Sequence, residues 1–257
     1  MINIPIAQSI RFRPINNDLP NFDNTFAADV DGFPYAYTQY VNPETIPIQV
    51  VTPDDNESLA YLDLIHNGTR TRITGESTSF IGTLKYNTFP VTLASYSSQC
   101  CYMEAFLEVD GGGEVLSYRS ERFTVLSQPK YLRLDWFNTE NSFQMDYSAG
   151  LVHSMWVEAK QGKLQFGGDA SIYMNQGEEV KLKETVQRVF LLECEVPYYI
   201  AEQMVLAMAH DRFYINSVEF VTDKKATITQ LGQSAMYSFS AEVKQKVVVG
   251  SNTHDVG

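Results

Sequence analysis

Histidines, cysteines and clustered carboxylates are the side chains through which proteins most often bind metal, move protons or attack a substrate. The histidines here are His66, His153, His210 and His254, and no two stand at the i, i+4 spacing that aims both rings from one helix face. His210 precedes Asp211 directly, and neighbours point apart on a helix, so capping or solvation is expected there. Cys100, Cys101 and Cys194 form an odd set without framework spacing, which argues against a disulfide-stapled domain, and none has the basic surroundings that favour a thiolate. Asp29-Val30-Asp31-Gly32 and Asp54-Asp55-Asn56-Glu57 gather oxygen atoms, but neither has the alternating ligands and terminal Glu of an EF-hand loop. Gly111-Gly112-Gly113 and Gly167-Gly168 lack the Lys-Ser/Thr and the following helix of a phosphate loop, and are expected to be hairpin turns. Glu193 and Glu195 share a strand face and could pair for glycoside hydrolysis, although a solvated pair is the simpler reading. Tyr198, Tyr199, Trp156 and Trp136 either line a sugar-binding surface or pack in the core. No catalytic, cofactor-binding or metal-ligating residue is therefore assigned, and the chain is expected not to be an enzyme.

Composition narrows the partners. The formal net charge is −12, with 19 basic and 31 acidic residues. Residues 1–127 carry 7 basic and 15 acidic side chains, and residues 128–257 carry 12 and 16. Without clustered Lys and Arg there is little phosphate affinity to gain from counterion release, so neither nucleic acid nor an anionic membrane is expected as a partner. The N-terminus lacks the basic and apolar regions of a signal peptide, and no run of about 18 apolar residues follows. A reducing cytoplasm, or release by another route, is the expectation.

The elements that must position these residues are mostly strands. Residues 1–45 are rich in Pro, Asn and isolated aromatics, which predicts an extended arm, packed on its own domain or clasping a neighbour. Strands are predicted at 46–52, 59–65 and 69–73, parted by Pro53-Asp54-Asp55-Asn56 and Asn67-Gly68. Residues 101–109 alternate Cys101, Met103, Ala105, Leu107 and Val109 with polar or aromatic residues, and 114–125 returns as a hairpin partner. These strands predict an immunoglobulin-like β-sandwich over 46–127. A junction at Ser127-Gln128-Pro129 leads to a second, β-rich α+β module over 128–250, a sheet or barrel plus one helix, with a C-terminal tail at 251–257. In it, strands are expected at 131–137, 185–195, 212–221, 226–231 and 235–249, and 152–159 is expected to form a hairpin with 163–166. Residues 197–211 place Ile200, Ala201, Met204, Ala207 and Met208 at helical spacing behind Pro197. The fold class is thus mainly β.

The run Tyr118-Arg119-Ser120-Glu121-Arg122-Phe123-Thr124-Val125, then Leu132-Arg133-Leu134-Asp135-Trp136-Phe137-Asn138, then a strand–helix–strand over 189–215, resembles virion and tail-associated structural proteins of Bacteroidetes phages. The likeness spans about residues 46–245. It also resembles the fold of phage tail-tube and distal-tail ring subunits. The resemblance implies a homo-oligomeric ring that contacts other virion or tail proteins, assembled in the host cytoplasm and located in the virion; it assigns no site residue and no cofactor. A carbohydrate- or receptor-binding adhesin is the alternative.

Overall fold

The structure, a computed structural model, describes residues 4–5, 7–14, 39–41, 44–53, 59–97, 99–109, 114–126, 131–162, 164–175, 178–222, 225–232, 236–246 and 250–253. The acidic loops at 29–32 and 54–57, the triple glycine at 111–113, His254 and most of the expected arm lie outside these residues. In chain order the front half contains β1 (Phe12–Pro14), β2 (Gln39–Val41), β3 (Thr45–Pro53), β4 (Leu59–His66), β5 (Thr69–Arg72), β6 (Ser77–Ile81), β7 (Leu84–Thr92), β8 (Cys100–Val109), β9 (Glu114–Ser120) and β10 (Phe123–Val125). The rear half contains β11 (Leu132–Phe137), β12 (His153–Val157), β13 (Ala159–Gln161), β14 (Gln165–Asn175), β15 (Glu178–Pro197), helix α1 (Tyr198–Met208), β16 (Arg212–Ile215), β17 (Val218–Val221), β18 (Thr227–Gln230), β19 (Met236–Gln245) and β20 (Gly250–Thr253). The fold is mainly β, with one α-helix among the described residues.

Two sheets share the front core. One is the antiparallel set β3–β7–β6; the other runs β5–β4–β8–β9–β1. Ile46, Ile48, Val50, Phe89 and Val91 from the first meet Leu62, Leu64, Cys101, Met103, Ala105 and Leu107 from the second. The alternation along 101–107 thus buries the expected face of β8. The return strand differs from its expected form: Glu121-Arg122 interrupt it, so Arg119 reaches Glu104 on the outer face while Phe123 and Val125 turn into the core. The interruption makes room for the N-terminal segment, whose Arg11 carbonyl accepts from the Glu121 N–H.

The rear strands belong to a ladder that closes as a barrel and continues through β2 and β10 into the second front sheet. It passes from β12 through β11, β16, β17, β19 and β15 to β13, which Glu158 alone separates from β12. Helix α1 begins after Pro197 and buries Ile200, Ala201, Met204, Ala207 and Met208 against Leu134, Trp136, Leu192, Phe213 and Phe239. Strand β2 stitches the halves together, pairing β10 in parallel and meeting β12 where Tyr40 faces Trp156 in register.

Four local expectations are corrected. Residues 152–159 and 163–166 do not pair with each other: β13 and β14 both line β15, because the Gly162 N–H bonds the Leu191 carbonyl at 2.7 Å and holds the chain against that strand. A Cβ at Gly162 would sit 2.9 Å from that oxygen. Gly167-Gly168 lie inside β14 rather than in a turn. The stretch 212–221 is a tight hairpin, turned by Asn216 and Ser217 at φ of 48° and 67°. Strand β15 is also longer than expected: its last residues serve the barrel beside β19, while 178–188 form a ribbon with β14 and β20.

Candidate functional site

The segment Ala7–Ile10 is wholly buried between the front sheets and the barrel. A polar chain in such a place must have its backbone groups paired, since each orphaned group costs about 1–3 kcal/mol. Both halves supply partners. On the front side the Gln8 amide imitates a strand residue: its Oε1 accepts from the Gln49 N–H at 2.8 Å and its Nε2 donates to the Gln49 carbonyl at 3.2 Å. On the rear side Trp136 Nε1 donates to the Ala7 carbonyl at 2.9 Å, Gln203 Nε2 to the Gln8 carbonyl at 2.5 Å, and the Ser154 N–H to Ser9 Oγ at 2.9 Å. Arg11 and Glu202 form an ion pair at the margin.

The Gln49 side chain performs a second joining task. Its Oε1 accepts from the Asp146 N–H at 2.8 Å, while its Nε2 donates to the Asp146 carbonyl and to Thr88 Oγ1 at 3.2 and 3.0 Å. Burial opposes ionisation of Asp146, but bonds from Ser79, Ser148 and Asn141 outweigh it and hold the carboxyl below its usual range.

Behind this seam lies an aromatic knot. His210 Nδ1 is 2.6 Å from the Leu206 carbonyl, which can only accept, so that nitrogen carries the proton and Tyr147 OH donates to Nε2 at 2.8 Å. Phe143, at φ 52°, stacks on His210 at 4.5 Å between ring centroids. His153 is wholly buried beside Trp136 and Tyr147, and burial together with the neighbouring His210 drives its pKa down to about 3. It is neutral near pH 7. Its Nδ1 lies 3.5 Å from Ser9 Oγ, and its Nε2 has no hydrogen-bond partner among the described residues. Ser9 and His153 are both 0% exposed, so this serine–histidine contact is walled off from any substrate and acts as a joint.

A different cluster occupies the outer face of the front module. The β-ladder sets Arg72, Asp63, Glu104 and Arg119 in one row across β5, β4, β8 and β9. Arg70 bonds Asp63 at 2.9 Å and Glu104 at 2.5 Å; Arg72 pairs Asp63, and Arg119 pairs Glu104 at 2.9 Å. Burial of Asp63 works against its charge, yet the two arginines prevail and its pKa is lowered. The guanidinium carbons lie over rings: Arg70 over Phe106 at 5.3 Å, Arg72 over Tyr61 at 4.6 Å and Arg119 over Tyr102 at 5.4 Å. Those ring faces are already occupied and are poorly placed to stack on a sugar.

The residues singled out in the sequence are scattered. Trp136 and Tyr199 are buried in the barrel core, whereas Tyr198 is exposed, so the four aromatics do not form one open surface. His210 joins the knot, His66 packs edge-on against Tyr96, and Asp211 accepts from the Thr139 N–H and hydroxyl. Glu193 and Glu195 are exposed on the barrel wall, the cross-strand neighbours of Ser240 and Ser238. Among the described residues there is no group of three or more His, Cys, Asp or Glu able to hold a metal, and no helix is long and apolar enough to cross a membrane. Sequence reasoning missed Gln8, Gln49, Gln203 and Asp146, because an isolated glutamine carries no pattern. It also missed the arginine row, although the two-residue Asn67-Gly68 turn fixes that register.

The thiols separate by burial. Cys100 is exposed, while Cys101 and Cys194 are buried and their pKa values are pushed up to about 11 and about 12. Titration of the folded protein with an aromatic disulfide reagent is therefore expected to modify Cys100 quickly and the other two only after denaturant is added. Fast reaction of all three would contradict this arrangement. Comparison with known protein families, curated proteins and solved structures finds no match for this chain.

Proposed function

We propose that this protein is a non-enzymatic structural component that works by assembling with copies of itself and with other particle proteins, as a building block of a bacteriophage tail or virion. The observation that carries this reading is the exposed apolar group where the β14–β15 ribbon leaves the barrel. Leu164 and Phe166, at the start of β14, are 45% and 63% exposed, with Phe166 opposite Arg188; Leu191, three residues along β15 from Arg188 and therefore on its other face, is 39% exposed. Large apolar side chains grouped at the surface mark contact sites in proteins that stay soluble. Of the polar residues that sequence would nominate for chemistry, His153 and His210 are buried in the joint, while Glu193 and Glu195 stand apart from them on the exposed barrel wall. In this reading the front module is an immunoglobulin-like docking sandwich and the barrel with its helix is the ring-forming part.

Light scattering over a concentration series, with electron micrographs of the same samples, tests it. Concentration-dependent rings or short tubes are the expected result. A monomer at every concentration, alone and with neighbouring gene products, would end the proposal.

A further inference from the structure

We propose that the arginine-bearing outer face of the front module docks onto the wall of the barrel that carries Glu193 and Glu195 in a second copy of this chain. The inference rests on the assembly reading above and names the surfaces that meet.

The two surfaces match in charge and in spacing. In a chain of net charge −12, Arg70 and Arg72 stand two residues apart on β5, and each side chain is 49% exposed. Glu193 and Glu195 stand two residues apart on β15, both exposed and neither in an ion pair among the described residues. Residues i and i+2 of any strand are about 7 Å apart on one face. A strand-over-strand approach therefore brings Arg72 onto one glutamate and sets Arg70, whose two terminal amino groups already bond Asp63 and Glu104, beside the other.

The arginine side is prepared for this contact. Arg72 spends its Nε–H on Asp63, and its two terminal amino groups have no bond among the described residues. Those are the groups that grip a carboxylate in bidentate fashion. Tyr61 and Phe106 hold the guanidinium groups against the sheet, so less side-chain freedom is lost on docking. Charge along β5, an edge strand, also discourages edge-to-edge pairing and leaves the face as the place of contact.

The glutamate side is smooth. Around Glu193 and Glu195 the ladder places Ser238 and Ser240 of β19 and Thr227 and Thr229 of β18. Lys160 faces Glu193 in register without forming an ion pair to it. Because the two surfaces differ, the contact is heterologous: each copy offers one face forward and one back, which generates a ring or a helical stack.

The experiment measures association by light scattering. Glu193→Lys with Glu195→Lys is expected to weaken it at least tenfold; the exposure of both positions spares the fold. Raising ionic strength from about 0.05 M to about 0.5 M is expected to weaken the unaltered protein about as much. A second arm mixes one copy bearing Arg72→Cys with another bearing Glu195→Cys, both in a Cys100→Ser background, and adds a short bismaleimide. Mixed covalent dimers are expected from the mixture and from neither copy alone. Assembly that survives the double lysine variant and yields no mixed cross-link would overturn this contact while leaving the assembly reading intact. A protein monomeric under all conditions would overturn both.

Discussion

Lowering the pH from about 6.5 to about 4.5 is expected to cost this protein about 2–3 kcal/mol of stability through His153 alone. The imidazole titrates near 6.5 when the chain is unfolded and near 3 in the buried knot. A group whose folded pKa is depressed in this way, being neutral when deprotonated, leaves stability whole above the unfolded value. Stability then drains as pH falls, because only the unfolded chain takes up the proton. His210 acts in the same direction, since burial lowers its pKa despite the Leu206 carbonyl and Asp211. Asp63 and Asp146 are also depressed, but their contribution is present above the ordinary aspartate value and begins to fail only as pH drops below about 4. The two windows are therefore separable. Urea midpoints measured across this range should slope steeply for the unaltered protein and less so for His153→Leu, which gives up one long contact to Ser9. An unchanged slope in that variant would show that His153 is not the origin of the acid response.

The histidine response depends on tertiary packing, and that divides what the sequence conveys from what it conceals. The hairpin joining β4 to β5 was legible, because Asn67-Gly68 supplies the two positive φ values, 49° and 75°, that a two-residue turn requires. From that turn alone Arg72 falls opposite Asp63. The β16–β17 hairpin uses the same geometry with Asn216-Ser217, and without a glycine the turn leaves no signal, so the sequence reads as one long strand. Gly167 misled in the opposite sense. It sits within β14 because a Cβ there would lie 3.0 Å from Val189 Cγ2, a close approach that looks like a turn residue when only the sequence is known. Helix α1 was visible through its apolar period, and α1 packs into a closed barrel. The N-terminal segment is the least legible: its prolines predict an arm packed on its own domain or clasping a neighbour, and Ala7–Ile10 are buried as the seam between the two cores, held by glutamine and serine contacts that no spacing rule reveals.

That seam explains why a single amide can matter so much. Replacing Gln49 with Ala is expected to destabilise the protein by about 3 kcal/mol, because it orphans the Asp146 N–H and carbonyl and removes a partner of Thr88 inside a buried joint. The reciprocal bonds to Gln8 use only the backbone of residue 49 and survive in the variant. Gln49→Glu keeps the acceptor for the Asp146 N–H but cannot donate to the Asp146 carbonyl, and it places a carboxylate beside that oxygen. It is expected to be at least as damaging as the alanine, although it preserves nearly the whole side-chain volume. Calorimetry distinguishes a joint from ordinary packing: the unaltered protein should melt in one transition, and the variants should separate the front core from the barrel. If Gln49→Ala melts as one unit within about 1 kcal/mol of the parent, the Gln49–Asp146 bonds do not couple the two cores. The coupling would then rest on the Gln8, Gln203 and Trp136 contacts alone.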